Sequence, residues 1–166
     1  MFDKVDFFLH GPHGRGLGLL GKETGTHIVF AGGTGVLVFV DLVCYLMRKT
    51  VAGMENGFKA IDDEDFSDLA DGFRLVLHLS VSKRDEAIGI ELYEGFQQLC
   101  DKLSLDTFKL MANFTREGGA RLTAETARSI MEQEKPEKVW VCGAPLYNEI
   151  FEKDLANVKQ PKIEIF

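Results

Sequence analysis

Hydrophobic positions along this chain fall in short runs separated by glycine-rich and acid-rich stretches. The longest is THIVFAGGTGVLVFVDLVCYLMRK, Thr26 to Lys49, whose first 22 residues carry one charge, Asp41, before Arg48 and Lys49. On hydropathy alone this is the profile of a membrane span with a positive flank. Gly32, Gly33 and Gly35 divide it. The β-branched and aromatic run THIVF, ended by AGGTG, predicts a buried strand. Val36 to Met47, apolar on all sides, predicts a helix packed deep in the protein. Neither piece reaches the roughly 20 helical residues that a bilayer requires, and each internal glycine would weaken a continuous helix by about 1 kcal/mol relative to alanine. The pattern favours strand, turn and helix over one span.

Downstream the same two periods alternate. FRLVLHLSVS (Phe73 to Ser82) alternates as a strand, and Phe96, Leu99, Cys100 and Leu103 share a helical face within Ile90 to Leu103. TFKLMANFT (Thr107 to Thr115) predicts a strand, and the turn REGGARL leads to a helix over Thr123 to Glu134. KVWVCG (Lys138 to Gly143) predicts a strand, LYNEIFEKDLANV a helix and KIEIF a terminal strand. Strands alternating with helices predict an α/β protein with a three-layer, doubly wound parallel sheet. Thr50 to Gly72, with seven acids against one lysine, reads as a solvated connection with a helical turn after Asp62. A calcium loop there would need glycine at its sixth position, counted from Asp62 or Asp63, and has none. With no internal repeat or linker, residues 1–166 read as a single domain.

Composition narrows the function classes. A chain of 166 residues with 45% hydrophobic and 27% charged residues can bury its own core. Its formal charge of −7 argues against a nucleic-acid partner, which would call for a basic face. Cys44, Cys100 and Cys142 are odd in number and widely spaced, which suggests neither disulfides nor zinc and fits a cytoplasmic setting. The start, MFDKVDFFLHGPHGRG, lacks the basic and apolar regions of a signal peptide.

Open parallel sheets bind ligands at the carboxyl ends of their strands. Two such ends stand out. Gly32, Gly33, Thr34 and Gly35 lie between a strand and a helix, where glycines admit a ligand to the backbone and free N–H groups face an anion. This is neither G-x-G-x-x-G nor a P-loop, and a plain tight turn is the alternative. In VWVCGAPLYNE, Cys142 and Gly143 leave a strand and Pro145 opens a helix; a buried core thiol is the alternative for Cys142. His10 and His13 have no partners at metal-ligand spacing, so no metal site is expected. Tyr45 and Lys49 form Y-x-x-x-K too early for a short-chain dehydrogenase, and no serine occupies a nucleophile elbow.

Taken together, HGPHGRGL, AGGTGV after a strand, SVSKRDEAI after a middle strand, VCGAP before a late helix and the terminal Phe166 resemble the pyridine-nucleotide half of the ferredoxin-NADP reductase superfamily. That superfamily includes cytochrome b5 reductases, nitrate reductases and NADPH oxidases. The resemblance runs over nearly the whole chain in the correct order, and implies a Rossmann-like NAD(P)-binding domain. By this similarity Gly33, Thr34 and Gly35 would cradle the pyrophosphate, with Gly32 permitting its approach. Cys142 would lie beside the nicotinamide and Gly143 would leave room for the ring. Phe166 would match the terminal aromatic that in some members lies against flavin, a hydrophobic plug on the sheet edge being the alternative.

Ser82, Lys83 and Arg84 follow the strand at which relatives read the adenosine ribose. They would suit a 2'-phosphate and so favour NADPH, whereas Asp85 and Glu86 next to them would repel it; NADH and NADPH both stay open. Val38 stands where the family usually has proline, Ala144 where a second proline is frequent, and Tyr147 where methionine often lies near the adenine. The R-x-Y-[ST] strand that binds flavin in relatives is missing, since Val43, Glu91 and Pro145 precede the three tyrosines by two places.

The resemblance therefore implies an NAD(P)H-binding part of a flavin-dependent oxidoreductase, inactive as a reductase alone. It would position nicotinamide for hydride transfer to FAD on a separate flavin-binding domain. The setting would be cytoplasmic, or the cytosolic face of a membrane oxidoreductase, with no span in this chain. The alternative is a non-catalytic nucleotide-binding or partner-docking module of the same fold.

Overall fold

The computed structural model describes residues 16–19, 23–55, 69–158 and 161–166. Five parallel strands form one sheet: β1 (Glu23–Gly32), β2 (Leu69–Val81), β3 (Phe108–Phe114), β4 (Lys138–Cys142) and β5 (Lys162–Ile165), in the order β3-β2-β1-β4-β5. The chain winds outward from β1 through β2 to β3, then crosses back to place β4 on the other side of β1. The strand order thus reverses between β1 and β4. In register, Gly32 pairs with Ser80 of β2, Ala31 with Cys142 of β4, and Ser80 with Asn113 of β3.

Side-chain alternation divides the core between the two faces of the sheet. Val29 and Ala31 of β1, Leu75, Leu77 and Leu79 of β2 and Trp140 of β4 pack with α1 (Val40–Glu55) and α2 (Ile90–Leu103). Ile28, Phe30, Val76, Val139 and Val141 point the other way, toward α3 (Ala124–Glu134) and the turn after α4 (Pro145–Glu149). Burial on both faces explains why the central strand is continuously apolar. Burying a large apolar side chain such as Phe30 contributes roughly 1.5–3 kcal/mol. The indole N–H of Trp140 is satisfied by the carbonyl of Leu17 at 3.1 Å, and Lys138 Nζ donates to the same oxygen at 2.7 Å. These bonds tie residues 16–19 to β4.

Local signals set the helix limits. Thr123 caps α3 by accepting the Thr126 N–H at 3.2 Å, and Lys135 ends the helix in the left-handed region at φ 47°. Ser104, at φ 55°, ends α2 in the same way.

Three sequence expectations need correction. The helix expected over Val36 to Met47 begins as a 3₁₀ segment, Gly33–Phe39, and continues as α1 to Glu55. It is not buried all round, because it covers one face of the sheet: Leu42, Val43, Leu46, Thr50 and Gly53 face inward while Leu37, Val38, Val51 and Met54 are exposed. The expected connection Thr50 to Gly72 is shorter, since Thr50 to Glu55 belong to α1 and Leu69 to Gly72 to β2. The helical turn after Asp62 and the rejected calcium loop lie outside the described residues, as do His10 and His13 and most of HGPHGRGL.

The last helix is also shorter than expected. α4 gives way to a π-helical turn, Ile150–Asp154, and no helix extends to Val158. Tyr147, Phe151 and Leu155 recur every four residues, and all three pack on the second core.

Among the described residues no helix is long and apolar enough to cross a membrane, and no group of three or more His, Cys, Asp and Glu is placed to hold a metal.

Candidate functional site

The two glycine motifs meet in space where the strand order reverses. Gly33 has φ +56°, a conformation that glycine adopts without strain, and it turns the chain out of β1. Thr34 is exposed beyond it. Gly35 is buried against the end of β4: a Cβ there would come within 2.1 Å of the Cys142 carbonyl oxygen and 2.9 Å of the Gly143 nitrogen. Only a residue without a side chain lets the turn and the strand end approach so closely.

The helical segment opening at Gly33 has no side-chain cap at Gly32. Its first N–H groups lack intrahelical acceptors and carry the positive end of the helix dipole, so they can receive an anion at this point. The crevice beside a strand-order reversal is also where open α/β sheets take their ligands.

Gly32, Gly143 and Ser80 form a row across the ends of β1, β4 and β2, and the ring of Tyr147 lies on it. A Cβ on Gly32 would stand 3.0 Å from Tyr147 Cγ, and one on Gly143 would stand 2.7 Å from Cδ1. The Tyr147 hydroxyl is buried beside Ser80, yet no partner lies within good hydrogen-bonding geometry. Burial drives its pKa well above the ordinary tyrosine range, so it stays a phenol.

The other expected site residues are arranged around this row. Cys142 is half-buried and free, and burial raises its thiol pKa, which keeps it neutral. Pro145 begins α4. The Phe166 N–H donates to the Val141 carbonyl at 2.9 Å, which continues the β5 register and sets the last residue beside Cys142. Its ring meets Phe39 edge-on at 6.2 Å, and its carbonyl accepts from Asn148 Nδ2 at 3.0 Å.

Ser82, Lys83 and Arg84 leave the carboxyl end of β2. The Ser82 carbonyl accepts from the Arg116 N–H at 2.8 Å, and Lys83 is exposed. Arg84 is held by both oxygens of Glu94, at 2.6 and 2.5 Å, and its guanidinium lies 5.9 Å from the Phe114 ring centroid. The pair raises the Arg84 pKa and lowers that of Glu94. An arginine bound in this way has its bidentate face occupied, so a 2'-phosphate would compete with Glu94 for it.

Sequence reading did not single out Ser80. The signal was its place in the alternation His78, Ser80, Ser82, which predicts one face of a strand without saying which strands flank it. Of the exposed apolar residues around the site, Phe166 was expected there from the sequence, whereas the exposure of Leu37, Val38 and Leu146 was not. Leu37 and Val38 follow the glycine turn, Leu146 follows Gly143 and Phe166 follows β5, and they are 52%, 42%, 80% and 43% exposed. All four stand at the carboxyl-end rim of the sheet.

No protein-family model matches the chain, and no curated protein matches it. Solved structures do. The CS-b5R domains of human Ncb5or, in an NAD+ form, superpose with a TM-score of 0.57 at 15% identity over 86% of this chain and 37% of that one. Ferredoxin-NADP+ reductase from Plasmodium falciparum with 2'P-AMP gives 0.55 at 15% identity over 86% and 52%. The cytochrome b5 reductase domain of Ulva prolifera nitrate reductase gives 0.53 at 12% identity over 87% and 49%. The chain shares its fold, a five-stranded parallel sheet between two layers of helices, with the matched part of each of these proteins. It spans about half or less of the length of each.

Proposed function

We propose that this chain is the NAD(P)H-binding part of a flavin-dependent oxidoreductase, and that it presents nicotinamide to a flavin carried on a separate domain. The observation that carries this reading is the contact of Gly35 with Cys142. It joins an anion-receiving helix start to the end of β4, at the point of the sheet where dinucleotides bind in this architecture. The residues suit the nucleotide: Gly33 turns without strain, and no side chain caps the helix start where the pyrophosphate would lie.

In this reading the pyrophosphate lies against Gly33, Thr34 and Gly35, and the adenosine runs toward Ser82, Lys83 and Arg84. The nicotinamide rests near Cys142, Gly143 and Pro145. When bound, NAD(P)H supplies the hydride. The chain's own task is orientation and exclusion of water. Cys142, held as a neutral thiol, packs and polarises the site without acting as a nucleophile, and Phe166 closes the edge beside it. The exposed rim of Leu37, Val38, Leu146 and Phe166 would be covered by the flavin-binding domain, consistent with an apolar surface that a lone soluble domain rarely gathers around one site.

Calorimetric titration of the chain with NADPH and NADH tests the reading. Saturable binding of at least one, without reductase activity unless a flavin domain is supplied, is the expected result. A folded chain that binds neither at millimolar concentration contradicts it.

A further inference from the structure

We propose that Tyr147 is a gate: its ring occupies the floor of the nucleotide crevice in the closed state, and α4 must move it aside for the dinucleotide to enter. The inference rests on the nucleotide-binding reading above and adds a regulatory step to it.

Three observations lead to it. The ring lies in contact with the backbone of both glycines that end β1 and β4, so it fills the space their missing side chains leave open. Glycines that clear a path for a ligand here clear it for Tyr147 instead. Second, the closed position is imperfect, because the hydroxyl is buried beside Ser80 without a partner in good geometry. A buried hydroxyl whose neighbour Ser80 is poorly aligned gains only part of a hydrogen bond, which weakens the state that holds it. Third, α4 is short and its residues are not fully buried. It has five residues, and Leu146 is almost wholly exposed. It joins the π-helical turn Ile150–Asp154, whose Phe151 is anchored in the core and tilted against Tyr147 at 6.1 Å. Such turns are frequent at functional sites. Phe151 is the anchored point about which the short α4 would turn, and opening would break the bond from Asn148 to the Phe166 carbonyl.

A gate lowers apparent affinity by the fraction of molecules that are open. Removing the ring should therefore tighten binding, by about tenfold if roughly a tenth of molecules are open. Tyr147→Phe keeps the ring and removes the orphan hydroxyl, which favours the closed state and should weaken binding by roughly fivefold or more.

The test is the affinity of the full chain for NADPH and NADH in wild type, Y147A and Y147F, together with amide hydrogen exchange in wild type. Exchange across residues 145–151 should accelerate when NADPH is added, and this readout needs no variant to fold. Tighter binding by Y147A, weaker binding by Y147F and faster exchange with nucleotide support the gate. Weaker or equal binding by a folded Y147A, or slower or unchanged exchange in wild type that does bind, overturns the gate alone. No binding by any form overturns the nucleotide reading and the gate with it.

Discussion

Gly35 lies so close to Cys142 that a Cβ on the glycine would meet the cysteine's carbonyl oxygen at 2.1 Å. That contact unites two motifs separated by more than a hundred residues of sequence.

Gly35 and Gly33 should respond differently to alanine. At Gly35 the added methyl meets backbone that cannot swing away, so Gly35→Ala should cost about 3 kcal/mol and disturb the position of Gly143. At Gly33 nothing lies within 4 Å, and only the left-handed φ of +56° opposes a side chain, so Gly33→Ala should cost about 1–2 kcal/mol. Urea denaturation of the two variants checks the order; a larger loss for Gly33→Ala would refute the packing argument.

The Arg84–Glu94 pair should limit recognition of a 2'-phosphate. Glu94→Gln frees the guanidinium fork and should tighten NADPH several-fold while leaving NADH unchanged. Parallel titrations with both nucleotides decide it. An equal change for both, or none, removes Arg84 from the account of selectivity.

His78 should make the protein acid-sensitive. Burial, with a smaller contribution from Lys109, lowers its pKa from 6.5 to about 4, and Glu134 only partly opposes the shift. The unfolded chain takes up this proton at higher pH than the folded one, so stability is full above pH 6.5 and is lost as pH falls toward 4. The difference amounts to roughly 3 kcal/mol. His27, lowered mainly by burial, adds in the same direction. His78 stacks on Phe30 at 5.1 Å and its Nε2 has no partner, so His78→Phe should fold and show a shallower decline between pH 6.5 and 4.5. An unchanged slope in urea melts would contradict the assignment.

Thr123→Ala removes the side-chain cap of α3 and should cost about 1 kcal/mol, seen as a lower thermal midpoint. Nucleotide affinity should be unaffected, because the cap contacts none of the rows that line the crevice.

Much of this architecture was legible because burial imposes periodicity. Ile28 to Ala31 read as a central strand since both faces are covered, and Phe96 and Cys100 read as one helical face since α2 lies on the sheet. Where burial is one-sided the reading failed. Leu37 and Val38 fall in the run expected to be buried on all sides and are exposed, and hydropathy alone cannot tell which face of a helix meets the sheet. At the site, residue types suggested a phosphate turn at Gly33 and a second strand end at Cys142. The engagement of Arg84 by Glu94 and of Tyr147 by Gly32 depends on side chains brought together by strand order. Local sequence does not encode that proximity.

The central claim, that the glycine turn and the end of β4 form one dinucleotide site, is tested most directly by following backbone amide resonances during titration with NADPH and NADH. Gly33, Thr34 and Gly35 should shift in step with Cys142 and Gly143, along one saturation curve, for at least one nucleotide. Resonances that stay fixed at millimolar nucleotide, or that shift only at sites remote from these five residues, would contradict it.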